Sequence, residues 1–125
     1  MECPCGNALV FEHCCARIHN GIVIPESAEM LMRARYSAFA IGNIDFLYNS
    51  FHPSTRRFQN KQDIEKWASE NIWLGLEILK STAFTVEFKA HYQDVKTATH
   101  HIHHEKSNFK QLQGAWYYVD GKLIR

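Results

Sequence analysis

The chain has 125 residues, 46% of them hydrophobic and 22% charged, a length and balance that suit a single domain able to bury its own core. Fourteen Lys plus Arg against thirteen Asp plus Glu leave a formal charge of +1, so charge supports neither a nucleic-acid surface nor an anionic membrane as partner. No apolar run approaches the roughly 20 residues that span a bilayer, and no basic-then-apolar leader opens the sequence, so a reducing, cytoplasmic interior is the expected compartment.

The first element is "MECPCGNALVFEHCC", which contains all four cysteines of the chain. Cys3 and Cys5 form one pair and Cys14 and Cys15 another, separated by eight residues. Two thiolate pairs joined by such a loop can close a tetrahedral shell around Zn(II), with Zn–S distances of about 2.3 Å. Pro4 stiffens the first pair, and Gly6 with Asn7 permits the turn that faces both sulfurs to one point. His13 reads as a neighbour, because four sulfurs already complete the shell. The competing readings are a disulfide in an oxidised sample, which the compartment disfavours, and a redox thiol, which would call for C-x-x-C spacing. A closed four-thiolate shell has no open position for substrate or water, so the zinc is expected to be structural.

The spacing C-x-C, eight residues, Cys-Cys resembles the SEC-C motif, a zinc-binding element first described at the carboxyl end of the SecA translocation motor. There the element contacts the SecB chaperone and ribosomes. The resemblance therefore implies a docking module with a chaperone or ribosome-associated partner. This chain carries Gly6-Asn7-Ala8-Leu9 where the usual pattern has Gly-Ser-Gly-Lys, which retains the ligands but departs at the partner-facing residues.

Residues 16 to 26 read as a connector, with a turn at Asn20-Gly21 and a helix approach at Pro25. A helix is predicted over "AEMLMRARYSAFAIG", capped by Ser27, with Met30, Leu31, Ala34, Ala38 and Ile41 at helical spacing and Gly42 as its stop. A second, shorter helix covers "NIDFLYNSF", capped by Asn43 and burying Phe46 and Leu47. "HPSTRR" breaks it, with His52 as a loop or capping group and an anion-holding role in reserve for its Ser, Thr and Arg side chains. A third runs from Asn60 to about Asn71, with Ile64, Trp67 and Ala68 on one face.

From Trp73 onward the period changes to two. "WLGLEILKS", "AFTVEFKAHYQD", "KTATHHIHHEKSNFKQL" and "AWYYVDGKLIR" read as four strands, with turns near Gln93-Asp94 and Gln113-Gly114. In the second strand Phe84, Val86, Phe88, Ala90 and Tyr92 share one face. Helices first and hairpin-linked strands afterward predict an α+β domain with helices packed on one face of an antiparallel sheet.

The stretches "AEMLMRARYSAFAIGNIDFLYNSFHPSTR", "WLGLEIL" and "HHEKSNFKQLQGAWYYVDG" resemble the YchJ-type family of uncharacterised bacterial proteins, and the resemblance covers nearly the whole chain. It implies a SEC-C element over residues 1 to 20 followed by a nuclear-transport-factor-2-like domain over 21 to 125. That fold is a curved, cystatin-like sheet wrapped by helices into a cone, which in some relatives holds a ligand or catalytic pocket and often pairs through the outer face of its sheet. A homodimer is therefore an expectation too.

Strand parity puts His101, His103, Glu105, Ser107 and Phe109 on the inward face. Glu105 becomes a carboxylate on an apolar wall, where desolvation would raise its pKa. It is read first as the partner of Arg33 or Arg35 on the long helix, and second as an acid-base group with His103. Arg33, Arg35, Tyr36, Glu105, Phe109 and Trp116 are the candidate pocket residues. Of the histidines at 100, 101, 103 and 104 no more than two can converge, so they read as an exposed, pH-sensitive surface rather than a metal tract. Without a basic surplus, Trp73, Trp116, Tyr117 and Tyr118 do not read as nucleic-acid stackers; Trp116 and Tyr118 read as packing in the cone on one face, while Tyr117 covers the other or joins a dimer. The sequence thus points to a zinc-containing adaptor or binding protein whose cone holds a small molecule. The alternative is a small cone-pocket enzyme using Glu105 and His103 on an anionic substrate.

Overall fold

A computed structural model describes every residue from Met1 to Arg125. Five helices, α1 (Cys15–His19), α2 (Ala28–Ile41), α3 (Ile44–Asn49), α4 (Pro53–Arg56) and α5 (Lys61–Ser69), precede four strands, β1 (Asn71–Ser81), β2 (Thr85–Asp94), β3 (His100–Leu112) and β4 (Ala115–Leu123). The strands form one antiparallel sheet in the order β1-β2-β3-β4. This is the α+β layering that the change of period predicts, with helices against one face of a meander.

Local chemistry sets the helix ends. Ser27 Oγ accepts from the Met30 N–H, Asn43 from Phe46, and Asn60 from Gln62 and Asp63, so each cap satisfies donors that a helix start leaves free. Gly42 closes α2 in the left-handed conformation at φ +78°, which a Cβ would strain. Two elements depart from the expectations. The connector is not irregular from its start: after a 3₁₀ turn inside the cysteine element (Phe11–His13), its first residues belong to the helix α1, which docks through buried Ile18. "HPSTRR" does not simply break the chain: Pro53 stands at the first position of α4, where its missing N–H costs nothing, and His52 Nδ1 accepts from Ser54 N.

The core lies between α2 and the concave face of the sheet. Leu31, Met32 and Tyr36 meet Val86, Phe88, Ala90 and Phe109 there, with Trp73, Leu76 and Ile78 alongside. Register breaks at Trp73/Gly75 and Ile78/Lys80 in β1, and at Asn108/Phe109 between β3 and β4, bend the sheet into its cone. The segment after α3 fastens to the last strand: Tyr118 N–H donates to Ser50 O at 2.9 Å and His52 N–H to Tyr118 O at 2.8 Å. No helix is long and apolar enough to cross a membrane.

α2 has a second buried side. Ala34 packs with Cys3, Cys5, Cys15 and Ile18, so the cysteine segment and the domain share a helix as common core. Arg33 ties them further, donating through Nη1 to the Cys5 carbonyl at 2.6 Å and through Nε to Glu29 at 3.1 Å. Glu29 in turn accepts from Ser81 of β1 at 2.7 Å.

Candidate functional site

Two sites sit on opposite sides of α2. On the outer side, an antiparallel bridge between Glu2 and Val10 and the Cys3 N–H bond to Leu9 O at 2.7 Å close a small hairpin that presents Cys3 and Cys5. The turn into α1 brings Cys14 and Cys15 against them. All four Sγ atoms lie within 4.8 Å of one another, and none is in a disulfide. A tetrahedral shell with Zn–S bonds of about 2.3 Å has S···S edges of about 3.8 Å. The Cys5–Cys14 separation of 3.6 Å and the Cys14–Cys15 separation of 4.0 Å bracket that value, so the residues fit a four-coordinate thiolate-binding metal. His13 is exposed and stands outside the cluster.

The electrostatics of the cluster agree. Hydrogen bonding from Cys15 pulls the Cys5 thiol down to about 5 against its burial, with the Asn7 N–H helping. Burial, then the neighbouring sulfurs, push Cys14 up to about 11; the bond to Cys5 and burial push Cys15 upward as well. Thiols crowded this closely share one negative charge readily and resist further ionisation, and a dication is what removes that resistance. Ser37 Oγ, 3.4 Å from Cys3 Sγ, joins α2 to the cysteine cluster.

On the inner side a cavity of about 500 Å³ opens between α2, α5 and the sheet. Eight of its twenty lining residues are Phe, Tyr or Trp. Trp73 is tied to α5 by its Nε1–H bond to Ala68 O at 3.2 Å, and Trp67 packs edge-on against it with ring centres 5.5 Å apart. Phe58, at the mouth, is 73% exposed.

His103 and Glu105 both line this cavity and lie 2.8 Å apart, Nε2 to Oε1. Glu105 Oε2 accepts from Ser107 Oγ and, at 2.8 Å, from Tyr118 Oη. Burial raises the carboxyl's proton affinity, as the sequence suggests, but the three donors His103, Ser107 and Tyr118 outweigh it, and the net pKa falls below the ordinary carboxylate value. Glu105 is thus a fixed anion, not a poised acid. Since an anionic carboxylate only accepts, His103 Nε2 must carry the proton between them, which leaves Nδ1 as the position where the ring can take or give one. Gly121 makes the arrangement fit: a Cβ there would lie 2.0 Å from Glu105 Oε2.

The expected ion pair from helix to sheet does not form. Arg35, 4% exposed, donates through Nη1 to Leu47 O at 3.2 Å and to Ser50 Oγ. Its guanidinium stacks over Phe51 and Tyr118, 4.7 and 4.1 Å from the ring centres, so Tyr118 touches Arg35 with its ring face and Glu105 with its hydroxyl. Arg33, two residues and about 200° away around the helix, faces the cysteine element and does not reach the cavity. Tyr36 lines it with Arg35. Phe109 does not: at 2% exposure it is core, edge-on to Tyr118 at 5.6 Å. Trp116 lies nearer the hairpin tip and packs on Phe84 at 5.4 Å, outside the cavity. In "HPSTRR", Arg56 bonds to the carbonyls of Asn49 and Phe51, and Arg57 covers the Phe58 ring.

Some residues of these sites were not among the sequence candidates. Ser107 has a parity signal, sharing a strand face with Glu105. Tyr118, Ser50, Phe51 and Gly121 reach their places through the register of β4 and its pairing with the segment after α3, which local patterns do not encode.

A family model described as YchJ, middle NTF2-like domain, matches residues 27–121. A UPF0225 protein of Bordetella pertussis is 40% identical over 128 residues, covering 97% of this chain and 92% of the relative. Another, from Haemophilus influenzae strain Rd, is 37% identical over 124 residues, covering 95% and 76%. Among solved structures, the solution structure of a SEC-C motif containing protein from Rhodopseudomonas palustris aligns with a TM-score of 0.89 at 29% identity over the full length of both chains. The crystal structure of a SEC-C motif containing protein from Psychrobacter arcticus aligns with a TM-score of 0.78 at 26% identity, covering this chain fully and 84% of that one. With these matches laid over an NTF2-like α+β domain and a four-cysteine element of SEC-C spacing, the chain belongs to the YchJ family.

Proposed function

We propose that this is a zinc-containing binding protein of a reducing, cytoplasmic compartment. Cys3, Cys5, Cys14 and Cys15 hold structural Zn(II), the element around them docks a protein partner, and the cone cavity holds a small molecule. The observation that carries the reading is the convergence of four free thiols on the outer side of α2, the helix whose inner side lines the cavity. Zinc supplies folding free energy here rather than reactivity, because four thiolates fill its shell. Leu9 and Val10, exposed on the second arm of the cysteine hairpin, are the side chains best placed to meet a partner. By analogy with the SEC-C element of the translocation motor, the partner is a chaperone or a ribosome-associated protein.

The test compares the wild-type chain with a Leu9→Asp, Val10→Asp double variant as immobilised bait, zinc content being measured on both. Partner capture lost at unchanged zinc content supports docking through the hairpin; equal capture by both baits, or none by the wild type, contradicts it.

A second reading, a cone-pocket enzyme, is favoured by the 2.8 Å His103–Glu105 bond. In it Glu105 orients the ring and His103 Nδ1 takes a proton from a carbon acid, the C–H pair of electrons passing to the substrate carbonyl and the proton returning from solvent. Deuterium exchange into 2-tetralone in D₂O, above the solvent blank and lost in His103→Gln, is the expected result. Exchange no faster than the blank would remove this reading.

A further inference from the structure

The polar groups of the cavity are not equally satisfied. Glu105 has a donor for each oxygen and a second for Oε2. Asp63 and Asp120, the other carboxylates of the lining, are exposed to solvent at its rim. Arg35 differs. It lies deep, enters no ion pair, and of its guanidinium nitrogens only Nη1 has protein acceptors, both uncharged. Nε is sealed from solvent with no acceptor at all. Phe51 and Tyr118 offer it ring faces, which attract a cation but give its N–H groups nothing to bond.

A buried cation with no counter-ion in contact has its desolvation only partly offset, and Glu105, held beyond the Tyr118 hydroxyl, acts on Arg35 without touching it. Burial lowers the Arg35 pKa to about 10, with Tyr118 and Glu105 acting against it, so the group stays charged at neutral pH. The wall beside it is aromatic: Tyr36, Phe39, Trp67, Trp73 and Phe88 line the same space. Flat apolar surface next to a positive charge that no carboxylate contacts selects a flat apolar body that ends in one negative oxygen group.

We propose that the cavity binds a small aromatic or cyclic carboxylate, its ring held among Trp67, Trp73 and Phe88 and its carboxylate paired with the guanidinium of Arg35. This rests on the reading of the cavity as a small-molecule site and adds to it the charge and shape of the ligand. Cationic ligands are disfavoured because the only carboxylate inside the cavity, Glu105, already accepts three hydrogen bonds from the protein.

The experiment uses the full chain with its metal and three probes of one shape: 2-naphthoate, methyl 2-naphthoate and 2-naphthylmethylammonium. Binding is measured by isothermal titration calorimetry and located by the NMR shift of the Trp67 and Trp73 indole N–H signals. The expected result is that 2-naphthoate binds at least tenfold tighter than either of the others, and that Arg35→Met reduces this preference over the ester to less than twofold. Should Arg35→Met fail to fold, the three affinities of the wild type decide alone. Ester or ammonium binding as tight as naphthoate, with the indole signals shifting, overturns the anion assignment and leaves a small-molecule cavity standing. No binding by any probe, or binding that leaves both indole signals unmoved, overturns the cavity reading itself.

Discussion

Glu105 shows how a residue's chemistry depends on neighbours that pattern alone does not supply. Its inward direction is legible from the alternation of His103, Glu105, Ser107 and Phe109, and β3 buries Ser107 and Phe109 as that parity requires. The direction of its pKa is not, because it is decided by donors on β3 and β4 together. A group whose folded pKa lies below its unfolded value binds its proton more firmly in the unfolded chain. Its stabilisation is therefore complete above the unfolded value, about 4.3 for Glu, and is lost as pH falls through the lower folded one. Substituting Glu105→Gln should flatten the acid limb of unfolding free energy against pH, while wild type steepens below about pH 4.3; identical limbs would show that Glu105 is not held as described. Gly121→Ala tests the same site from the opposite strand. The added Cβ would coincide with the carboxylate, which must swing away from Tyr118 and Ser107. Overpacking of this kind costs about 1–3 kcal/mol, readable as a lower urea midpoint at unchanged slope. A midpoint equal to wild type would place Glu105 elsewhere.

Among the elements, α2 carries both sites, and its two faces explain why two arginines two residues apart do unrelated things. The helix itself was readable from Ser27, the apolar spacing and Gly42, because caps and periodicity act locally. What it touches was less so. Arg33 and Arg35 are alike as sequence, and only the rotation of the helix between the cysteine hairpin and the cone separates them. α1 escaped a periodicity reading for a simple reason: five residues are too few to show a period, and its order comes from Ile18 in the shared core and His19 donating to Ala34 O at 2.8 Å. α4 escaped because a proline that stops one helix also starts another. Since Ala34 and Ser37 face the cysteines, removing the metal should loosen α2 before the far strands. Hydrogen exchange after chelation is expected to quicken at the α2 amides and the 1–20 segment by at least tenfold, with β2 and β3 changing less. Uniform acceleration across the chain, or none, would contradict a coupling through α2.

For the molecule as a whole, the order of layers was legible and the cavity was not. Helical period over the first half and alternation over the second are enough to set helices against a meander, because each face must bury its apolar stripe. The cavity depends on how far α5 stands from the sheet, which is fixed by contacts such as Trp67 on Trp73 and Tyr92, at 5.5 and 5.1 Å between ring centres. Trp67 and Tyr92 are legible in the sequence only as members of apolar faces; in the fold the three rings pack together, and Trp67 and Trp73 also line the cavity. The cysteine cluster lies at the other extreme: twelve residues of spacing specify it, and the fold supplies the surface on which it sits. Its occupancy is the central claim, and X-ray absorption at the zinc edge on reductively purified full-length protein, with metal quantified on the same sample, tests it most directly. The account predicts one zinc per chain with four sulfur scatterers at about 2.3 Å. Less than about half an equivalent of zinc, or a shell containing nitrogen or oxygen in place of sulfur, would contradict it.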